Sequence, residues 1–137
     1  MALDVQMQQL VRVLALKLVS LVEPHRVEFR PQGGALVVDN VYGVDLMTDV
    51  SDRMAAGQRL EEAVQGGVEN LLYQVQDAST VDVGLPWPRV AGGALSEFAI
   101  PCVRLANGTL VFWFEDVRGR VVTPKVSIEL DLSGTDV

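Results

Sequence analysis

The first periodic feature along the chain is a run of Leu3, Met7, Leu10, Leu14, Leu18 and Leu21, spaced by three or four residues and therefore stacked on one stripe of a helix. Val5, Val13, Leu16 and Val19 fall off that stripe among Gln8, Gln9, Arg12 and Ser20, so the opposite side is also partly apolar. A helix apolar on two sides needs two covers, and in so small a protein a two-fold copy is the simplest second one. The six stripe residues are accordingly read as a dimerisation helix. Pro24 disfavours helical geometry at Glu23 and ends the segment.

The period then changes to two. Over residues 26–30, Val27 and Phe29 alternate with Arg26, Glu28 and Arg30, residues 31–34 supply Pro-Gln-Gly-Gly as a turn, and residues 35–41 return as the second strand of a hairpin. Residues 42–46 offer a short third strand. Thr48, Asp49 and Ser51 are N-cap candidates for a second helix, with Asp49 and Asp52 placed against its positive end. In that helix Leu60, Val64, Val68, Leu71 and Val75 share one face, leaving Glu61, Glu62, Gln65 and Glu69 towards water. Gly57 delays its start. Gly66-Gly67 costs about 1 kcal/mol per glycine relative to alanine and points to a kink, a break or a close backbone contact.

The C-terminal half changes period from helical to two, beginning with Val81, Val83 and Leu85 in alternation with Asp82 and Gly84. Pro86-Trp87-Pro88 cannot lie in an internal strand, because neither proline has an amide hydrogen, so Trp87 belongs to a loop. Residues 94–100 resume as a strand before Pro101. Asn107-Gly108 tolerates the positive φ of a two-residue hairpin turn. Pairing Ala106 with Thr109 then sets Leu105 opposite Leu110 and Val103 opposite Phe112 on one face, with Arg104 opposite Val111 and Cys102 opposite Trp113 on the other. For the next connection a three-residue loop with left-handed Gly119 gathers the apolar residues on one side, and it pairs Asp116 with Arg120, Phe114 with Val122 and Leu110 with Val126. The expected fold is α+β: two helices packed on an antiparallel sheet, in the order helix, hairpin with a third strand, helix, C-terminal antiparallel meander. All 137 residues form a single domain in this reading.

Composition narrows the partners. With 49% hydrophobic and 21% charged residues the chain can bury a core. Its formal charge of −7 repels phosphate backbones and anionic lipid alike, so neither nucleic acid nor membrane is expected as a partner. Five of those seven excess charges lie in residues 45–77, where Asp45, Asp49, Asp52, Glu61, Glu62, Glu69 and Asp77 face only Arg53 and Arg59. That stretch is either a solvated helix face or a surface for a basic protein partner. The apolar run over residues 10–22 is interrupted by Arg12 and Lys17 and follows Asp4, which suits neither a signal peptide nor a span. A single Cys102 cannot bridge internally and fits a reducing, cytoplasmic setting.

Little of the sequence carries chemistry. His25 is the one histidine and has no partner marked out by spacing, so it reads as a junction residue; with one cysteine there is no zinc set, and no metal or cofactor is expected. Cys102 reads as a small hydrophobe, although Arg104 on the same face could in principle favour a thiolate. Asp45, Asp49 and Asp52 could meet on a cation if one helix carried all three, but Asp45 belongs to a strand and capping is the expected role of the others. The most informative surface is the mixed face of the meander, where Trp113, Val111, Cys102 and Arg104 gather with Glu115, Thr123 and Lys125 around them. An aromatic centre with a charged rim is the composition of an interface hot spot, unless a helix of the same subunit covers it. Trp87 is a further contact residue or a plug over the core. These features together suggest a non-catalytic, homodimeric protein-binding module of adaptor, inhibitor or chaperone type. The alternative is a small-molecule binder or enzyme with an apolar pocket between the second helix and the sheet, and a third is a structural subunit of a larger assembly.

Overall fold

The computed structural model describes residues 2–21, 28–38, 41–83, 88, 90 and 98–135. It is an α+β arrangement of α1 (Leu3–Leu21), β1 (Phe29–Gln32), β2 (Ala35–Val38), β3 (Val41–Asp45), α2 (Leu46–Ala55), α3 (Leu60–Val83), β4 (Ile100–Ala106), β5 (Thr109–Glu115) and β6 (Val126–Glu129). The strands form two antiparallel sheets, β1-β2-β3 and β4-β5-β6. Leu3, Met7, Leu10, Leu14 and Leu18 of α1 are buried in one cluster with Leu36, Val64, Leu71, Leu110, Phe112 and Phe114. Full burial of a leucine or phenylalanine contributes roughly 1.5–3 kcal/mol, so this cluster is the main adhesive of the fold.

The expected second helix is two helices. Asp45, the last residue of β3, caps α2 by accepting from the Thr48 amide at 3.1 Å, earlier than the expected caps at Thr48, Asp49 or Ser51. Its carboxylate can do this because a strand end already has the extended backbone an N-cap needs. The helix stops at Ala56, and Gly57 follows with φ +101°, a left-handed conformation that glycine adopts without strain. Helix α3 then runs unbroken through Gly66 and Gly67. Of the three roles open to that pair, the close contact is the one found: a Cβ at Gly67 would lie 3.0 Å from Leu46 Cδ1 and from Val50 Cγ2. The missing side chains let α2 pack tightly across α3.

The first hairpin turns at Gly33-Gly34, so that Pro31 and Gln32, expected in the turn, belong to β1, opposite Leu36 and Ala35. Strand β4 likewise passes through Pro101, expected to lie beyond a strand end. One reason explains both. Each proline stands at a position whose nitrogen points away from the neighbouring strand, and each lies in the edge strand of its sheet, so no ladder bond is lost.

The β4–β5 hairpin has the expected register, with Cys102 opposite Trp113, Val103 opposite Phe112 and Ala106 opposite Thr109 across Asn107 (φ 53°) and Gly108 (φ 76°). The next loop also closes as expected. The Asp116 amide donates to Arg120 O at 2.9 Å, the Val122 amide donates to Phe114 O at 2.7 Å, and Gly119 has φ +82°. Beyond it the expected pairing of Leu110 with Val126 is replaced by Leu110 with Ile128 and Phe112 with Val126. The slip comes at Thr123-Pro124, where the buried Thr123 hydroxyl accepts from the Phe114 amide at 3.1 Å and Pro124 has no amide hydrogen to extend the ladder. Because the slip is an even number of residues, Val126, Ile128 and Leu130 keep the inner face.

Candidate functional site: the outer face of the second sheet

The inner face of the second sheet is closed, with Leu110, Phe112 and Phe114 fully buried. Its outer face presents alternate residues of the same strands: Ile100, Cys102 and Arg104 on β4, and Val111, Trp113 and Glu115 on β5. Cys102, Val111, Trp113 and Glu115 are half-buried, while Ile100 and Arg104 are exposed. The sequence thus brings together the four residues it marked on these strands. Trp87 and His25 lie outside the described residues.

The tryptophan is held rather than loose. Its indole Nε1 donates to Glu115 Oε2 at 2.7 Å, and the Lys125 ammonium sits 4.5 Å from the ring centroid. The hydrogen bond fixes the ring edge, and the cation over the π face adds an attraction of roughly 0.5–1 kcal/mol at an exposed site. The result is an oriented aromatic plate between a carboxylate and an ammonium. Such a plate can bind an apolar or planar group and orient it by flanking polar contacts.

Cys102, opposite Trp113, is not set up as a nucleophile. Partial burial, the Glu115 carboxylate and more distantly Glu69 push its thiol above the ordinary cysteine value, and only Lys125 opposes them. A thiolate would need the reverse surroundings, so the idea that Arg104 activates it finds no support. The Sγ donates instead to Ile100 O at 3.7 Å.

The two edges of this sheet differ. Along β4 the Leu105 amide donates to Gln65 Oε1 at 3.0 Å, and Gln76 Nε2 donates to Ala99 O at 2.5 Å, so two glutamines of α3 cover the edge. They are spaced about 16 Å apart along the helix, close to the about 20 Å between Ala99 and Leu105 along an extended chain. Neither glutamine stands out in the sequence for this task, although Gln65 and Gln76, three helical turns apart, share one side of α3. At the other edge, β6 borders an open groove of about 380 Å³ lined by Gln9, Leu10 and Val13 of α1 together with Ile128, Glu129 and Asp131.

The remaining candidates have structural places. Leu3, Met7, Leu10, Leu14 and Leu18 face their own core with Leu21 half-buried, so the part of α1 open to another molecule is the other flank, Val5, Leu16 and Val19. Leu16 is 73% exposed. Asp49 accepts from Arg53 Nε at 3.2 Å and from Asn70 Nδ2 at 3.3 Å, joining α2 to α3, so with Asp45 capping, the acidic trio is divided among separate tasks. Among the described residues no three Asp, Glu, His or Cys side chains converge as metal ligands. The crevice between α3 and the first sheet, lined by Leu36, Val44, Leu71 and Val75, holds about 10 Å³, room for about one water molecule. A larger apolar groove of about 550 Å³ lies elsewhere, between Leu3 at the start of α1 and Met47 and Met54 of α2. No helix among the described residues is long and apolar enough to cross a membrane. The chain matches no protein-family model, no curated protein and no solved structure.

Proposed function

We propose that this protein is a non-catalytic, homodimeric protein-binding module that takes its partner on the outer face of the second sheet. One observation carries the reading: Trp113 is half-buried outside the core cluster, and it is oriented by Glu115 and Lys125. Aromatic residues held in this way dominate binding energy at protein interfaces. The reading as a binder of small molecules in a pocket between α3 and the first sheet has less support, since that space is too small for an organic ligand and the Cys102 thiol is pushed towards its inert form.

The acidic balance and the exposed carboxylates Asp52, Glu61, Glu62 and Asp77 favour a basic partner, whose rate of encounter falls as salt screens them. The surplus apolar flank of α1 supports self-association. The test is a comparison of tagged wild type with Trp113→Ala in an extract of the native cell. A partner that co-purifies with wild type, binds it again when both are pure and is lost from the variant supports the reading. Equal retention by a folded variant removes Trp113 from the interface, and a strictly monomeric wild type in light scattering at micromolar concentration removes the dimer.

A further inference from the structure

We infer that two copies of this protein join through β6, whose free edges pair antiparallel about a two-fold axis at Ser127 and fuse the two second sheets into one of six strands. The inference rests on the homodimer reading and specifies its interface. It begins from which backbone groups are already used. The Val122 and Leu130 amides donate to Phe114 O and Gly108 O, so the even-numbered residues of the last strand face β5. By alternation Lys125, Ser127 and Glu129 turn their N–H and C=O groups away from β5. Nothing among the described residues takes those groups up, in contrast to the β4 edge under Gln65 and Gln76.

An antiparallel pairing centred on Ser127 puts Ser127 opposite Ser127 of the partner subunit and Lys125 opposite Glu129 of the partner subunit, twice over by symmetry. All three pairs are of the hydrogen-bonded kind, about two bonds each. Both charged residues project on the outer face, since Lys125 lies over Trp113 and Glu129 accepts from the Thr109 hydroxyl of β5 at 3.3 Å. The pairing therefore sets opposite charges across the junction at both positions. Any one-strand partner could use the bare edge, but a second copy meets it with complementary charge at each end, which is why the occupant is this chain itself.

Shape is compatible with this. The groove beside β6 leaves the approach open, and its α1 wall continues along Gln9 and Val13 to the exposed Leu16, the same flank whose apolar surplus asks for a cover. The strand is only four residues long, so the ladder needs that flank for a lasting contact. Two-fold closure also leaves the β6 edge with no room for further chains to add, which an open edge strand otherwise invites. The tryptophan faces of both subunits end up on one continuous surface.

The experiment is a charge exchange read by sedimentation equilibrium and native mass spectrometry. Lys125→Glu and Glu129→Lys each set like charges opposite one another at both junctions, and each alone should dimerise about tenfold or more weakly than wild type. Mixed one to one, the two variants meet with opposite charges at both positions and should form a heterodimer at close to wild-type strength. Singles as tight as wild type, or a mixture no tighter than the singles, overturn the β6 pairing while a dimeric wild type keeps the homodimer reading. A monomeric wild type overturns that reading as well. Should either charge variant fail to fold by circular dichroism, Ser127→Cys in a Cys102→Ser background decides: mild oxidation yields a covalent dimer if the axis passes through Ser127, and none if it does not.

Discussion

The two edges of the second sheet have the same backbone chemistry and opposite fates. At β4 a helix from the same chain lies alongside, and two of its glutamines supply the hydrogen bonds a missing strand would have made. At β6 the neighbouring helix α1 stands off across a groove, and its Gln6 donates beyond the strand, to Asp131 O at 2.9 Å and to the Thr135 hydroxyl at 3.5 Å. An edge that the chain covers for itself is structure; one left bare among the described residues is a candidate for recognition. The difference separates the side of the sheet that the chain's own helix covers from the side where we place a second subunit.

Three perturbations sharpen that contrast. The largest acts on both edges alike: Phe112→Ala empties a fully buried position in the central strand and should cost about 3–5 kcal/mol in urea unfolding, loosening β4 and β6 together. Next is Gln76→Leu, which breaks the covered edge alone. It leaves the Ala99 carbonyl short of a donor under α3, and a loss of about 1–3 kcal/mol is expected with self-association unchanged. The third concerns the loop that leads into β6. The Arg120 amide, aided by the Arg120 guanidinium and the Arg118 amide and opposed by burial, holds Asp116 below the ordinary aspartate value. A lowered folded value means this stabilisation is complete above the unfolded aspartate range and is lost as pH falls through the folded value. Acid titration below about pH 4 should therefore loosen the β6 side, and Asp116→Asn should flatten that part of the profile.

How much of this was legible follows from how local each signal is. The β4–β5 register could be read in full because Asn107-Gly108 fixes it within two residues. Pro31 and Pro101 were placed outside strands because their tolerance depends on which way a nitrogen faces and on whether the strand lies at an edge, neither of which is local. Asp45 passed for an ordinary strand residue because one side chain can end a strand and cap a helix in the same place. Ser51 and Thr48 lost to it for that reason. At the site, the pairing of Cys102 with Trp113 came from the turn and the bond to Glu115 lies within β5, two residues along, whereas the position of Lys125 beside the ring needed the slip at Thr123-Pro124. The open β6 edge had one available sign: the last strand of a meander has a neighbour on one side only, and Lys125 and Glu129 are placed symmetrically about Ser127.

The most direct measurement is amide hydrogen exchange at Ser127 and Glu129 compared with Leu105, followed over a range of protein concentrations. Leu105, bonded to Gln65 within the chain, should be protected at every concentration. Ser127 and Glu129 should exchange freely in dilute solution and become protected as subunits associate. If the subunits associate while those two amides go on exchanging freely, β6 is not where they meet.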